Sequence, residues 1–277
     1  MLAKKYADFK NRITYPRFVQ PKLNGVRALY NQGKFQSRDC LLWNDNVLAH
    51  LRDELQTRFD IPDWVVLDGE LYVHGWPLQT INGAISVNRV EPNAKTPLVE
   101  YHVFDIFNGA SPTMTFGFRS SFLSSLFRAG TYSFDKVRFV VTFPVDNESE
   151  LNHYFEYFKR SGYEGMISRD DLPYGLETNC TNKQNRWSRL LKHKDWLDDD
   201  FLITGIQHGE GKYSSCVGSL QLETADGLVF HAGSGLDDLD RVRYVAQPPI
   251  GRFAKIRYEM LSSGGIPLKP TVIAVLD

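Results

Sequence analysis

Short apolar runs alternate with turn residues along the first two thirds of the chain. Runs rich in β-branched and aromatic residues, bounded by Gly, Asn or Asp, predict strands at residues 26–30, 64–67, 71–73, 101–107 and 137–143. Apolar residues at helical spacing predict helices at 47–59, 119–129 and 148–160. This mixture predicts an α+β domain of antiparallel sheets with helices.

The composition changes abruptly at residues 195–200, where a basic segment gives way to acidic residues before a new apolar run begins at Phe201. We therefore predict two domains, residues 1–196 and 197–277. Short strands separated by Gly-rich turns follow the boundary, at residues 220–224, 228–232 and 253–258. They predict a small all-β barrel of five strands and about 80 residues, for which the OB-fold is the commonest nucleic-acid-binding example.

The formal net charge of −1 over 277 residues does not by itself indicate a polyanionic partner. Basic residues are nevertheless concentrated in two segments, which could face phosphate groups or could simply be solvated surface. These residues are Lys4, Lys5, Lys10, Arg12 and Arg17 in the first segment and Lys183, Arg186, Arg189, Lys192 and Lys194 in the second.

We expect neither a membrane span nor a cleaved secretory signal. Charge interrupts every apolar stretch well before the roughly 20 residues that a bilayer span requires, and the first residues lack the apolar part of a secretory signal. Cys40, Cys180 and Cys216 lack the paired spacing of a zinc site or a disulfide framework, so we predict three reduced thiols. These features predict a cytoplasmic protein without a membrane association.

The most informative segment contains Lys22, followed by Asn24 and Gly25, and predicts a lysine on a tight turn that leads into a strand. A lysine amine attacks phosphorus only when uncharged, which its ordinary pKa of roughly 10.4 opposes at neutral pH. Burial, neighbouring cations or a metal would favour the uncharged nucleophile. Gly25 would allow a nucleotide to approach the backbone closely. Taken alone, however, a Lys-x-x-Gly segment is usually an ordinary surface turn.

Four further segments follow in order. Asp68, Gly69 and Glu70 lie between two apolar runs, where Asp-Gly alone would favour a β-hairpin turn. Phe104 lies in an apolar run and is either a core residue or a flat surface for a base. Glu164 begins another apolar run. The last segment contains Lys192 and Lys194, which would share one strand face because side chains two residues apart point the same way.

Together these segments resemble the nucleotidyltransferase motifs of the covalent ligase and mRNA-capping superfamily, and most closely those of the small ATP-dependent DNA ligases of phages and bacteria. The resemblance implies a nucleotidyltransferase (adenylation) domain followed by an OB-fold domain. It implies ATP and Mg²⁺ as cofactors, with Mn²⁺ as a possible substitute, and nicked duplex DNA as the partner of a monomer. The enzyme would act in DNA replication or repair, in the cytoplasm of a bacterial cell or a phage-infected host.

The resemblance also implies residue roles. Lys22 would form the lysyl-AMP intermediate, while Lys192 and Lys194 would contact the α-phosphate as further catalytic groups. The nucleotide would be bound by Gln20, Lys22, Arg27, Glu70, Phe104, Glu164, Lys192 and Lys194. Among these, Phe104 would stack on adenine and Gln20 would contact its exocyclic amine. The metal would be held by Glu70 and Glu164, and DNA would be contacted by Arg27, Ser37 and Arg38.

The sequence departs from this family in two places. Asn24 occupies a position where DNA ligases usually have aspartate, which puts the choice between DNA and RNA in question. The family often ends its OB domain with an arginine-containing motif that orients pyrophosphate, whereas residues 270–277 contain no arginine. We expect Lys255, Arg257 or Lys269 to compensate.

Other functions remain open at the level of sequence. An RNA ligase or a capping-type nucleotidyltransferase would use the same lysine with a different acceptor. A non-catalytic OB-fold protein that binds nucleic acid is the alternative from another class, although the charged residues expected of an enzyme are present.

Overall fold

The computed structural model describes residues 2–58, 61–129, 135–174, 186–262 and 264–276. The chain divides into two compact units, Met1–His193 and Lys194–Asp277. The boundary predicted after residue 196 lies between the last strand of the first unit, which ends at His193, and the next strand, which begins at Leu197. Within the described ranges, every helix falls short of the length and apolar character that a bilayer span needs.

The first unit contains ten strands and four α-helices over the described residues. In chain order they are β1 (Leu2–Lys5), β2 (Arg17–Lys22), β3 (Val26–Asn31), β4 (Lys34–Ser37), α1 (Ala49–Arg58), β5 (Val65–Tyr72), α2 (Leu78–Ile85), β6 (Glu100–Asn108), α3 (Phe116–Ala129), β7 (Val137–Phe139), β8 (Phe143–Val145), α4 (Glu148–Arg160), β9 (Gly165–Arg169) and β10 (Arg186–His193).

These strands form two sheets, with strand orders β1-β10-β9-β2-β8 and β4-β3-β5-β6-β7. Pairing is antiparallel except between β1 and β10 and between β6 and β7. The larger apolar core joins the second sheet to α1, α2 and α3, and a smaller core packs α4 on the first sheet. The predicted α+β class is therefore confirmed.

Helix α4 shows how local sequence defines an element. The side chain of Asn147 accepts a hydrogen bond from the backbone N–H of Glu150 (3.0 Å), which caps the first turn. Acidic residues lie in the first turn and basic residues in the last, as the helix dipole favours. Leu151 and Phe158 face the first sheet and are buried. These features stabilise the helix that apolar spacing predicted at residues 148–160.

Strand β5 differs from the sequence-based expectation. It runs without interruption through Asp68 and Gly69, so the alternative of a hairpin turn at this dipeptide is wrong. Gly69 pairs with Ala28 on one side and with Val103 on the other. The central position in the sheet outweighs the local turn preference of Asp-Gly, because both backbone edges of the strand gain partners.

The second unit contains an OB-like sheet. Its elements are β11 (Leu197–His208), β12 (Val217–Glu223), β13 (Val229–Ala232), α5 (Asp238–Ala246), β14 (Phe253–Tyr258) and β15 (Thr271–Val275). The strand order is β13-β12-β11-β14-β15, and adjacent strands are antiparallel. Over the described residues the sheet does not close into a barrel. A single isolated bridge, between Ser234 and Thr271, joins the regions of β13 and β15 in place of a continuous ladder. The strand order fits the small OB-fold domain that the sequence predicted, and the five-stranded sheet stays open over the described residues.

Ion pairs in this unit engage two of the three residues expected to act in place of the family's arginine motif. Arg257 donates two hydrogen bonds of 2.7 Å to Asp198, and Lys269 lies 2.6 Å from Glu259. The expectation that Lys255, Arg257 or Lys269 acts in place of that motif stays a prediction.

The cysteines correct one further expectation. Cys40 is disulfide-bonded, whereas Cys216 is buried and free. Cys180 lies outside the described residues. The prediction of reduced thiols is therefore wrong for Cys40, because separation along a sequence does not limit proximity in space.

Candidate active site

A cavity of about 260 Å³ lies in the first unit, lined by residues of both sheets. It brings together most of the side chains that the sequence motifs singled out, although these motifs are up to 170 residues apart. The lining residues are Ala3, Gln20, Pro21, Lys22, Leu23, Arg27, Arg38, Asp68, Glu70, Phe104, Ile167, Arg169, Leu190 and Lys192.

Lys22 is the last residue of β2 and not part of a turn as the sequence predicted, and a three-residue connection with a bend at Gly25 leads from it into β3. Its Nζ forms an ion pair with Glu164 Oε2 and lies 3.4 Å from the carbonyl oxygen of Leu23. The register of β2 and β9 causes this pairing. Lys22 lies opposite Gly165, and the backbone N–H of Glu164 donates to the Lys22 carbonyl oxygen (3.2 Å). A carboxylate 142 positions away is thereby placed beside the amine.

Gly25 ends this connection and lies close to β5. A Cβ atom at this position would lie 2.3 Å from the carbonyl oxygen of Leu71 and 2.8 Å from Cγ of Glu70. These distances are far below ordinary van der Waals contact, so a side chain would displace either the strand or Glu70. The glycine is required for the close approach of the two segments. The expectation that it allows a nucleotide to approach the backbone stays a prediction.

Glu70 lines the cavity and carries a perturbed carboxyl group. Burial raises the pKa of Glu70 to about 7, against the opposing influence of the positive charges of Lys22 and Arg27. Near neutral pH the carboxyl group is therefore partly protonated. A cation bound in the cavity would favour its ionised form.

Arg27 is held in place by a carboxylate to which the sequence analysis gave no role. Its Nε and Nη2 donate to the two carboxylate oxygens of Asp68, at 2.8 and 2.7 Å. The hydroxyl of Tyr174 donates to the same carboxylate (2.7 Å). Burial alone would raise the pKa of Asp68, but the charge and hydrogen bonds of Arg27 outweigh burial and lower it. Asp68 thus fixes a guanidinium at the cavity wall.

Gln20 and Phe104 also reach the cavity, from β2 and β6. Gln20 is almost completely buried, and its amide bonds to groups on three other segments. One of these groups is the guanidinium of Arg169, whose Cζ lies 6.0 Å from the Phe104 ring centre. Sequence analysis missed Asp68 and Arg169 as site residues. The available signal was a charged residue within an apolar strand pattern.

The two lysines of the last motif take different positions. Lys192 belongs to β10, pairs with Ile167 of β9 and lines the cavity. Lys194 lies beyond the end of β10, in the second unit, where its Nζ is 3.2 Å from Glu259. The strand alternation that would have aligned them does not extend past His193.

Two of the three residues predicted to contact DNA, Ser37 and Arg38, lie at the end of β4, and the third, Arg27, lies on β3. Arg38 lines the cavity directly after the strand. Ser37 ends β4, and its hydroxyl accepts a hydrogen bond from the backbone N–H of Leu41 (3.1 Å). Ser37 therefore stabilises the turn that carries Arg38.

Two family models match this chain. Residues 1–194 match the ATP dependent DNA ligase domain, and residues 208–275 match the DNA ligase OB-like domain. Together these matches show the class of protein, in which a nucleotidyltransferase domain is followed by an OB-like domain in one chain. The chain belongs to the ATP-dependent DNA ligase family, which confirms the family that the sequence motifs indicated.

Individual relatives agree with this assignment. The chain is 32% identical over 212 residues to the DNA ligase of African swine fever virus (strain Badajoz 1971 Vero-adapted). That match covers 73% of this chain and 46% of the viral protein. The chain therefore spans about half the length of the curated relatives that it matches.

Solved structures share the fold. A Lig E DNA ligase, from work on DNA binding with a minimal scaffold, aligns with a TM-score of 0.78 and 21% identity, covering 100% of this chain and 98% of that chain. The Chlorella virus DNA ligase-adenylate aligns with a TM-score of 0.55 and 21% identity, covering 100% and 97%. At these identities the similarity establishes the fold alone.

Proposed function

We propose that this protein is an ATP-dependent DNA ligase that seals nicks between a 3′-hydroxyl and a 5′-phosphate. The observation that carries the proposal is the cavity in which the amine of Lys22 lies beside Glu164, with Arg27, Glu70 and Lys192 at its walls. Membership of the ligase family supports the same function.

The proposed reaction has three transfers. Nζ of Lys22, after losing a proton, attacks the α-phosphorus of ATP; an N–P bond forms, and the P–O bond to the departing pyrophosphate breaks. An oxygen of the DNA 5′-phosphate then attacks the same phosphorus and releases the lysine. Finally the 3′-hydroxyl attacks the activated 5′-phosphate, loses its proton and displaces AMP.

The chain contributes alignment and positive charge to each transfer. Lys192 and Arg27 bring cationic groups to the cavity, where they would stabilise negative charge on phosphoryl oxygens. Asp68 and Tyr174 hold Arg27 in one orientation, so it needs no reorganisation when phosphate binds. A DNA-contacting role for Ser37 and Arg38 belongs to the same proposal.

The site also fits a magnesium ion. Glu70 and Glu164 would hold it, because magnesium binds in proteins through one or two carboxylates together with phosphate oxygens and water. Groups of three or more metal-binding side chains are absent from the described part of the chain, so phosphate and water would complete the shell. When bound, the ion would neutralise charge on the phosphates, and Mn²⁺ could substitute for it.

Intact mass spectrometry after incubation with ATP and magnesium tests the first transfer. We expect one added AMP in the wild type and none in Lys22→Ala. Lys34→Ala is the matched control, since Lys34 pairs with Asp45 at an exposed position, and it should retain the added AMP. An unmodified wild type, or a modified Lys22→Ala variant, would contradict the proposal.

The acceptor requires a separate test, because Asn24 keeps an RNA ligase as the second candidate function. A gel assay should compare nicked DNA, nicked RNA and hybrid duplexes. We expect sealing of nicked DNA. Preferential joining of RNA ends would favour the RNA ligase, and labelling by GTP alone would favour a capping-type nucleotidyltransferase.

The biological setting is part of the proposal as well. The viral relatives support action in an infected host cell, and we propose a role in replication or repair in the cytoplasm, as the resemblance to phage and bacterial ligases implies. We propose that the protein acts there as a monomer on nicked duplex DNA. Sedimentation measures the mass of the protein with and without a nicked duplex. If the protein acts as a monomer, we expect one protein copy in the free state and one copy bound to each nick.

A further inference from the structure

The amide of Gln20 has a single orientation that satisfies its surroundings. Its Nε2 donates to the carbonyl oxygen of Phe104 and to the hydroxyl of Thr142, both at 2.9 Å. Its Oε1 accepts a hydrogen bond from Nη2 of Arg169 (3.0 Å). A flipped amide would place oxygen against the Phe104 carbonyl and N–H groups against the guanidinium. Both contacts would be repulsive, so the flip is disfavoured.

Arg169 is in turn fixed from behind. Its Nη1 donates to Oδ2 of Asp105 (2.7 Å), and its guanidinium carbon lies 4.2 Å from the centre of the Phe116 ring. Asp105 is completely buried and also accepts two hydrogen bonds from Arg119. A buried carboxylate with two arginine partners leaves Arg169 little freedom to move.

This arrangement determines what Gln20 offers to a ligand. Both hydrogens of Nε2 are used, so the amide has no donor left for a base. An amide oxygen has two lone pairs, and within the described residues Arg169 occupies one of them. The remaining lone pair makes Gln20 an acceptor at the cavity wall, close to Phe104 and Arg169, which also line it.

We propose that Arg169 is a positioning residue that fixes the Gln20 oxygen toward the nucleobase, so that the cavity selects a 6-amino purine over a 6-oxo purine. The amine of adenine donates to this oxygen. The carbonyl oxygen of guanine or hypoxanthine would face it as a second acceptor and lose binding energy. The inference rests on the proposed nucleotide transfer to Lys22 and adds the residue that enforces the choice of nucleotide.

The test compares ATP with inosine 5′-triphosphate, which carries a carbonyl oxygen in place of the adenine amine. Each triphosphate is radiolabelled at the α-phosphate, and kcat/KM for label transfer to the protein is measured in separate reactions. The ratio of the two values is the readout, because the fraction of correctly folded enzyme cancels. For Arg169→Lys we expect the preference for ATP to fall about tenfold, the effect of one well-oriented hydrogen bond.

Arg119→Lys is the matched control. Arg119 bonds to the same Asp105 carboxylate and is equally buried, but its hydrogen bonds go to Asp105, Met114 and Leu172 rather than to Gln20. A general loss of packing would affect both variants, whereas the ratio should change only in Arg169→Lys. Equal ratios in the two variants would overturn the inference.

A second pair of variants tests whether Arg169 acts through Gln20. Gln20→Met removes the acceptor and should lower the preference as Arg169→Lys does. The double variant Gln20→Met with Arg169→Lys should show the same ratio as Gln20→Met alone, because the two residues form one unit. A further decrease in the double variant would contradict this.

Thr142→Val provides a milder change should Arg169→Lys fail to fold. It removes one acceptor of Nε2 at a half-buried position and should shift the ratio in the same direction by a smaller factor. An unchanged ratio would overturn the inference. Absence of label on the wild type with every triphosphate would instead overturn the proposed function itself.

Discussion

Asp68 illustrates the energetic difference between buried and exposed charges at the scale of single residues. It is almost completely buried, and its carboxylate is shared by Arg27 and Tyr174. Removing one partner of a buried ion pair leaves the other charge unsolvated and unpaired, which costs far more than the loss of an exposed pair. The same residue positions a guanidinium for phosphate, so structure and function depend on one contact.

For Asp68→Ala we expect a loss of about 3 kcal/mol in the free energy of unfolding, measured by urea denaturation. The loss arises because Arg27 and Tyr174 keep their places in the fold without a partner. Asp45→Ala is the control, since Asp45 forms an exposed pair with Lys34, and it should leave stability essentially unchanged. Equal effects of the two substitutions would contradict the distinction.

Gly25→Ala tests the close approach of two segments at the cavity. The added Cβ would collide with the Leu71 carbonyl and with Glu70, so β3 and β5 must separate or Glu70 must move. We expect a loss of about 1 to 3 kcal/mol in stability, together with slower transfer of AMP to Lys22. Urea denaturation and intact mass measure the two effects. A variant with unchanged stability and unchanged transfer would contradict this account.

At the scale of elements, α2 was absent from the sequence-based prediction. Its sequence contains Thr, Asn and Gly, which have weak helix propensity, so local preference concealed it. Ile81, Ala84 and Ile85 are nevertheless buried against the core. Burial of this apolar face stabilises a helix that the segment would not form in isolation.

At Gly83, in this helix, a change to alanine should stabilise the protein, whereas Gly25→Ala should destabilise it. Nothing lies within 4 Å of a Cβ built at Gly83, and its backbone is helical. We expect Gly83→Ala to raise the free energy of unfolding by roughly 0.5 to 1 kcal/mol, because alanine loses less conformational freedom in a helix. Urea denaturation measures this, and a destabilised variant would show that space or conformation at Gly83 is restricted.

At the scale of the whole molecule, His193 links folding to pH. Its Nε2 lies 2.8 Å from the Ser168 hydroxyl, and its ring stacks on Tyr6 with centres 3.9 Å apart. Burial, and secondarily the charge of Arg17, lowers the pKa of His193 from 6.5 to about 3. The unfolded chain therefore binds a proton between pH 6.5 and 3 that the folded chain does not bind. Stability must fall as pH decreases through this window.

At pH 5 this proton would cost about 2 kcal/mol of stability relative to neutral pH. His193→Gln should remove this part of the loss, so the difference in unfolding free energy between pH 7.5 and pH 5 should become smaller. Urea denaturation at both values measures it. His208→Gln, at an exposed position, is the control. Identical differences in the wild type and His193→Gln would contradict a buried neutral imidazole.

Local sequence patterns determined much of this protein. Short apolar runs bounded by turn residues located β3, β6 and β14, and apolar residues at helical spacing located α4. The residues of the motifs, including Lys22, Glu70 and Phe104, were identifiable because their chemistry and order are local properties. The same patterns were sufficient to indicate the ligase family.

Tertiary structure alone decided how these residues meet. The β2 and β9 register places Glu164 beside Lys22, and sheet pairing on both sides keeps Asp68 within a strand instead of a turn. Arg169 donates a hydrogen bond to Gln20, which lies 149 positions earlier in the sequence. A sequence pattern records which faces are buried and where turns occur, but strand register and buried charge partners depend on contacts between distant segments. These long-range contacts give the cavity its geometry.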